Sequence, residues 1–499
     1  MGAAPTPPPR FRAASPGAVR RPQAIVYFIG LTAALAGLLF GLDVGVISGA
    51  EEFIQKDFGI SDDAVELIVS ALLWGAATGA LFSGVLSSRF GRRRTILISA
   101  VNFIVGTLLC AFAPNAPMLM VARFILGIAV GVASFTAPLY LSEIAPQSVR
   151  GALISMHQLM ITIGIILAFL SNTFLATYAT IGGVVGGHWR IMLGIIALPA
   201  AIMFIGVYFL PESPRWPFVN GFRERAIEVF RRMKLDEAEI ASEVREIEES
   251  VKVKQNGFEL FKTSSNFRRA IALGIGLQII QQLTGINVIM YYAPRIFGMA
   301  GFESTNEQLW GTVIVGVTNV LATFIAIAFV DKLGRKPIMY AGLLTMGLAL
   351  LAVGMLFLIG GDTRMVPDEK GVTSAVTVLT SADYAYPAVF AVLIFIIGFA
   401  MSAGPIVWVL CSEIYPLAGR DLGVTCSTGT NWIVNAIVGM TFLTLINTFG
   451  PGNTFLLYGA MNLLFIIFFV LFVPETKGVS LETIERNLMS GLPLRRIGR

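Results

Sequence analysis

The sequence predicts an all-α membrane protein: twelve transmembrane helices in two six-helix bundles, joined by a short cytoplasmic helical linker. Three observations predict it. Of 499 residues, 55% are hydrophobic and only 13% charged, with a mean hydropathy of +0.76, where a soluble domain carries about 25% charged residues. Apolar runs of about 20 residues, the length needed to cross the hydrocarbon core, recur twelve times along the chain. Finally, the same polar punctuation appears in the same order in both halves, as a duplicated membrane unit would show.

The spans fall at about 24–48, 64–87, 95–113, 117–141, 152–174 and 190–210, then 269–293, 309–330, 337–360, 385–411, 424–447 and 454–473. Continuous apolar runs, without strand-like alternation, argue for helices over a β-barrel. The first half is punctuated by Gly91-Arg92-Arg93-Arg94, Glu143-Ile144-Ala145-Pro146 with Arg150, and Pro211-Glu212-Ser213-Pro214-Arg215-Trp216. The second half answers with Gly334-Arg335-Lys336, Glu413-Ile414-Tyr415-Pro416 with Arg420, and Pro474-Glu475-Thr476-Lys477-Gly478. The boundaries that follow are a disordered tail at 1–22, bundles at 23–211 and 269–474, a linker at 212–268, and a tail at 475–499.

The net charge of +5 sits largely in short loops after even-numbered spans, at Arg89, Arg92 to Arg94, Arg150, Arg335, Lys336 and Arg420. By the positive-inside rule those loops and both termini face the cytoplasm; a nucleic-acid partner is not indicated. Segments 222–234 and 236–252 of the linker have helical spacing and mixed charge, and the polar stretch 361–384 is expected outside. Cys110, Cys411 and Cys426 lie in or at the ends of apolar runs and read as packing residues. Gly37, Gly41, Gly45 and Gly49 form a ladder in the first span, echoed by Gly75 and Gly79 and by Gly127 and Gly131. Small residues at this spacing let helices approach closely. Inside so large a bundle they serve internal packing better than dimerisation, and a monomer is expected.

Asp43 lies mid-membrane with no basic neighbour in its span, and Arg123 is the matching oddity in the fourth span. Each is costly alone and each is the other's evident partner. Burial and a nearby arginine act on a carboxyl group in opposite senses. A pair that closes in one conformation and opens in another would therefore bind and release a proton; a static ion pair is the plainer alternative. Asp43 is offset from the glycine ladder, so it faces a different surface from the one the ladder packs.

The seventh span carries Gln278, Gln281 and Gln282 on one face, then Thr284-Gly285-Ile286-Asn287 and Tyr291-Tyr292. On an unbroken helix Asn287 and Tyr291 would point elsewhere. A break near Gly285 would turn both groups toward one cavity, and broken helices commonly build transporter sites. Amides donate and accept together, which suits a neutral polyhydroxylated ligand. Gln158, Asn319, Asn431 and Asn435 add similar groups, and Trp408, after Gly404-Pro405, and Trp432 offer aromatic faces for a sugar ring. The loop charges Arg92, Glu143, Arg150, Arg335, Glu413 and Arg420 could form a cytoplasmic gate network that biases the conformational equilibrium. With only His157 and His188, no HExxH site is possible, and no Gly-Lys-Ser/Thr phosphate loop occurs. Neither a metal nor an enzymatic constellation is expected.

These segments together resemble the sugar porter family of the major facilitator superfamily over residues 24–490. The resemblance rests on Arg89-Phe90-Gly91-Arg92-Arg93, the Pro211–Trp216 segment, Gln281-Gln282-Leu283-Thr284-Gly285-Ile286-Asn287 and Pro474-Glu475-Thr476-Lys477-Gly478. Ala137-Pro138-Leu139-Tyr140-Leu141-Ser142-Glu143, Ala400-Met401-Ser402-Ala403-Gly404-Pro405 and Thr425-Cys426-Ser427 look most like its bacterial proton-coupled hexose members. It implies the major facilitator fold, alternating access, and a hexose at the midplane contacted by Gln158, Gln281, Gln282, Asn287, Asn319, Trp408, Asn431 and Trp432. It makes Asp43 the proton-coupling acid and Arg123 its partner. No cofactor is implied, the proton being the co-transported ion. Ser88 stands where the superfamily pattern has an acid, whereas Asp331 keeps it in the second half. The expectation is an inner-membrane hexose–proton symporter, for galactose or glucose. A passive facilitator and a non-transporting sugar sensor are the rivals.

Overall fold

The computed structural model describes residues 24–144, 150–181, 184–185, 188–232, seven positions between 237 and 248, 257–367 and 373–498. The first bundle contains α1 (Ala24–Phe58), α2 (Asp62–Phe90), α3 (Arg92–Ala111), α4 (Ala116–Ile144), α5 (Arg150–Thr177) and α6, built from Trp189–Gly194 and Ala197–Phe209. The second opens with α7, in three pieces: α7a (Ser265–Leu283), α7b (Ile286–Tyr291) and α7c (Ala293–Met299). It continues with α8 (Thr305–Leu333), α9 (Arg335–Gly360), α10a (Ala382–Met401), α10b (Ala403–Glu413), α11 (Arg420–Gly439) and α12 (Phe442–Phe472), the last broken into two helices at Gly450, whose φ is 78°. Among the described residues eleven helical spans are long and apolar enough to cross a membrane. The twelfth, α11, is 20 residues long but buries Ser427, Thr428, Asn431 and Asn435, which lower its hydropathy.

The glycine ladder packs α1 on α5. A Cβ at Gly41 would lie 1.9 Å from the Ile161 carbonyl oxygen, and one at Gly37 2.5 Å from that of His157. Gly75, Gly79, Gly127 and Gly131 bring α2 and α4 together in the same way, each against a carbonyl oxygen 2.0–2.3 Å from the position of a Cβ. The two bundles meet where α2 packs on α11, with Leu81 over Gly429, and where α5 packs on α8, with Phe169 over Gly316.

Between the bundles lie the short helices Arg215–Val219, Arg223–Arg232 and Gly257–Thr263. The helix expected over 236–252 falls mostly outside the described residues. After α12, the helix Leu481–Met489 buries Ile484 and Leu488.

Two loops depart from the all-α expectation. β1 (Thr180–Ile181) pairs with β2 (Val184–Val185). The polar stretch after α9 forms a ribbon of β3 (Gly361–Pro367) and β4 (Thr373–Leu379), with Gly361 opposite Leu379 and Pro367 opposite Thr373. The β-branched run Thr373, Val376, Thr377 and Val378 favours that pleat.

The repeated punctuation makes two copies of one device. Gly91 and Gly334 have φ of 90° and 94°, open to glycine and strained for other residues. Each turn lies against the glutamate of the matching proline–glutamate motif. Glu212 accepts from the Arg93 N–H at 2.9 Å, and Glu475 from the Arg335 and Lys336 N–H groups at 3.1 and 2.9 Å.

Candidate functional site between the two bundles

α7 breaks at Gly285, whose φ of 94° no helix continues through. Beyond the break Asn287 donates through Nδ2 to the Gln282 Oε1. Asn431, one α11 turn before Asn435, donates to Gln278 Oε1 at 2.7 Å and to Gln281 Oε1 at 2.8 Å. Gln281 Nε2 donates to the Ala403 and Gly404 carbonyls at 2.8 and 3.3 Å, in the first turn of α10b just after the break. Thus five amides on α7 and α11 form one buried cluster anchored on the α10 break. Every member is both donor and acceptor, so the cluster can rearrange around hydroxyl groups.

Tyr291 bonds to α11. Its hydroxyl lies 3.2 Å from Asn435 Oδ1, one helical turn beyond the amide cluster. Tyr292 donates to the Gly439 carbonyl at 2.8 Å. Trp432 is 2% exposed and packs on Phe40 of the first bundle, ring centroids 5.1 Å apart. Trp408 is 38% exposed on α10b. Asn319 is buried on α8 and Gln158 half-buried on α5; no hydrogen bond found among the described residues joins either to the amide cluster.

In the first bundle Asp43 and Arg123 are each 1% exposed, with Oδ1 and Nη1 3.7 Å apart. That distance allows attraction and is too long for a hydrogen bond. Arg123 is held separately, its Nε donating to the Ile68 carbonyl of α2 at 2.9 Å. Neither Asp43 oxygen finds a donor among the described residues. The pair is loosely engaged, so a small helix movement can change it without breaking a hydrogen bond. α7b, which carries Tyr291, packs against α1, which carries Asp43.

At the end of the bundles carrying the loop arginines, the charges brace each bundle internally. Arg92 holds Glu143 with two hydrogen bonds of 2.9 Å, and Ser213 donates to the same carboxylate at 2.5 Å. Arg335 donates to Glu413 at 2.9 Å, and Thr476 to that carboxylate at 2.5 Å. Arg420 is within electrostatic reach of Arg215, Asp421 and Glu485. The side chain of Arg150 lies outside the described residues. Of the charges expected in a gate network, Arg92 pairs with Glu143 and Arg335 with Glu413, each within its own bundle.

Sequence reasoning missed the contacts at the opposite end. Arg295 on α7c reaches Glu51 and Gln55 of α1 and Asp62 of α2, and Thr444 of α12 caps Glu66 of α2. A lone arginine at one end of the seventh span, and acids flanking the same end of the first two, were the available signal.

These features define an all-α membrane transporter whose second helical bundle holds a cluster of polar amides. Residues 29–488 match the sequence family described as sugar (and other) transporters. The chain is 53% identical over 479 residues to the galactose–proton symporter of Escherichia coli K12, covering 96% of this chain and 98% of that one. It is 48% identical over 486 residues to the arabinose–proton symporter of the same strain, covering 97% and 98%. Among solved structures it is similar to the xylose transporter XylE from E. coli in a partially occluded inward-open conformation. There the identity is 31%, the TM-score 0.77, and the cover 92% of this chain and 100% of that one. The proton:xylose symporter XylE bound to 6-bromo-6-deoxy-D-glucose gives 32% identity and a TM-score of 0.77, covering 93% and 98%. The chain belongs to the sugar transporter family.

Proposed function

We propose that this protein imports a hexose, galactose or glucose, by proton symport through alternating access, as a monomer in the bacterial inner membrane. The loop-arginine end and both termini face the cytoplasm, as the positive-inside rule directs. Sugar enters from outside with Asp43 protonated and is held by Gln281, Gln282, Asn287 and Asn431. Gln158, Asn319 and the Trp408 and Trp432 rings complete its surroundings. The bundles then rock about the site, and sugar and proton leave inward.

Tyr291 carries this reading. It stands on the segment beyond the α7 break, bonded to Asn435 beside the amide cluster, and that segment packs against α1, which carries Asp43. Movement of α7b on sugar binding therefore acts on the loosely held pair, which is what coupling requires. Arg123 contributes by offering Asp43 a charge partner whose distance changes through the cycle.

The test is sugar-dependent proton uptake in proteoliposomes, comparing the native chain with Asp43→Asn across a panel of hexoses and pentoses. Symport predicts external alkalinisation on adding galactose or glucose to the native chain. The variant is expected to lose that signal and retain sugar exchange. Sugar flux without proton movement in both would make the protein a facilitator and Asp43 structural.

A further inference from the structure

The contacts at the end opposite the loop arginines join the two bundles to each other. Arg295 of α7c donates through Nε to Glu51 Oε1 at 3.1 Å, through Nη1 to Asp62 Oδ1 at 2.8 Å, and through Nη2 to Gln55 Oε1 at 2.6 Å. Its partners all belong to the first bundle, on α1 and at the start of α2. Glu51 is 1% exposed, Arg295 20% and Asp62 32%, so the pairing is shielded from water on the α1 side and opens to it on the α2 side. Gln55 also donates to Asp62 at 2.8 Å, and Asn447 of α12 donates to Asp62 at 3.2 Å. Beside them the Thr444 amide and hydroxyl donate to Glu66 at 3.0 and 2.7 Å.

We propose that Arg295, with Glu51, Gln55 and Asp62, is the latch of the outer gate, so that the guanidinium of Arg295 sets the balance between outward-open and inward-facing states. This rests on the alternating-access reading. For sugar to enter from outside, α7c must part from α1 and α2, and all three Arg295 contacts must break together. One side chain satisfying three acceptors on two helices makes the closed state all-or-none. A planar fork suits this geometry better than a flexible ammonium. Parting also leaves Glu51 without its cation, so the carboxylate must be hydrated as the gate opens. The loop-arginine end is built differently: Arg92 and Arg335 pair inside their own bundles, and those contacts survive a rocking movement.

Hydrogen–deuterium exchange on the full chain in detergent tests this without any sugar or proton gradient. The native chain is compared with Arg295→Met. Breaking a buried pair weakens the closed state enough that exchange in segments 46–58 and 288–299 is expected to rise on the order of ten-fold. Exchange in segments 139–144 and 406–414, at the opposite end, is expected to fall, because opening one side closes the other. A structural role alone would loosen the outer segments and leave the inner ones unchanged, and that result overturns the proposal, as does no change at either end. Should Arg295→Met fail to fold, Glu51→Gln combined with Asp62→Asn removes the same latch from the other bundle and must give the same paired response. A chain that shows this response yet moves sugar without protons would retain the latch and lose only the symport reading.

Discussion

Gln281 and Gln282 are neighbours in sequence with different work to do. Gln281 holds the α10 break through two backbone carbonyls and accepts from Asn431. Among the described residues Gln282 shares hydrogen bonds with its amide neighbours, Asn287 and, at 3.5 Å, Gln281. Leaving a buried polar group unsatisfied costs about 1–3 kcal/mol. Gln281→Ala is therefore expected to lower both the thermal midpoint and sugar affinity. Gln282→Ala is expected to weaken sugar binding about ten-fold, equivalent to about 1.4 kcal/mol, with the midpoint nearly unchanged. Calorimetric titration and thermal unfolding of the purified proteins separate the two; equal loss of stability in both variants would show that neither is reserved for ligand. Arg123 presents the same division within one side chain. Its Nε serves the backbone of α2, while its Nη1 faces Asp43. Arg123→Leu is expected to abolish sugar-driven proton uptake in proteoliposomes, and normal uptake by that variant would end the pairing with Asp43.

The helices are ordered by close approach where they must be rigid and by breaks where they must move. At Gly41 a side chain has no room, since a Cβ would fall 1.9 Å from the α5 backbone. Gly84, on the same bundle, has nothing within 4 Å of a Cβ. Gly41→Ala is expected to destabilise by about 1–3 kcal/mol through forced separation of α1 and α5, whereas Gly84→Ala changes stability by less than about 0.5 kcal/mol. Denaturation midpoints of the two variants check this. At Gly285 the constraint is conformational: an alanine at φ of 94° costs roughly 1–2 kcal/mol. Because that glycine turns Asn287 toward Gln282, Gly285→Ala is expected to weaken sugar binding as well as stability.

Much of this was legible in the sequence because the bilayer imposes it. Continuous apolar length gives spans, small residues at spacing four give tight helix pairs, and an isolated Asp43 demands Arg123. The break at Gly285 and the face shared by Gln278, Gln281 and Gln282 could be read because amides in lipid must find polar partners. What could not be read was which acid meets which base across the bundles. The partners of Arg295 lie more than 230 positions away, on another bundle, and span prediction assigns no azimuth to a helix. The partner of Tyr291, Asn435, could not be read for a related reason, since the length of α7b decides how far the chain turns after the break. The ribbon of β3 and β4 was read only as polar loop, its β-branched alternation being short and outside any span.

At the scale of the molecule the two halves repeat one loop device, and the two copies are tuned apart. Both Glu212 and Glu475 lie outside the membrane spans and accept backbone N–H groups at a glycine–arginine turn. Burial pushes both carboxyls upward. At Glu475 the N–H groups of Lys336, Arg335 and Lys477 outweigh burial and hold the carboxyl below the ordinary glutamate range. At Glu212 burial wins over the N–H groups of Arg93 and Ser213, and the carboxyl is raised. The ordinary value is about 4.3. Glu475 therefore contributes stability that is present above that value and lost as pH falls through its lower folded value. The contribution of Glu212 has the opposite sense: it is full below the ordinary value and lost as pH rises through its folded value. Glutamine keeps the shape and removes the charge. Glu475→Gln is expected to lower the thermal midpoint at pH 7, with the gap to the native chain closing on acidification below pH about 4. Glu212→Gln is expected to match or exceed the native midpoint at pH 7, again converging with it in acid. Unfolding midpoints of the three chains across that range decide the point, and shifts of the same sign at pH 7 would mean that the two loops are electrostatically equivalent. Opposite signs would mean that the second bundle keeps its loop-arginine turn ionised and clamped under acid conditions where the first has already neutralised its own. In a protein proposed to work across a proton gradient, such a difference makes one half the steadier platform against which the other rocks.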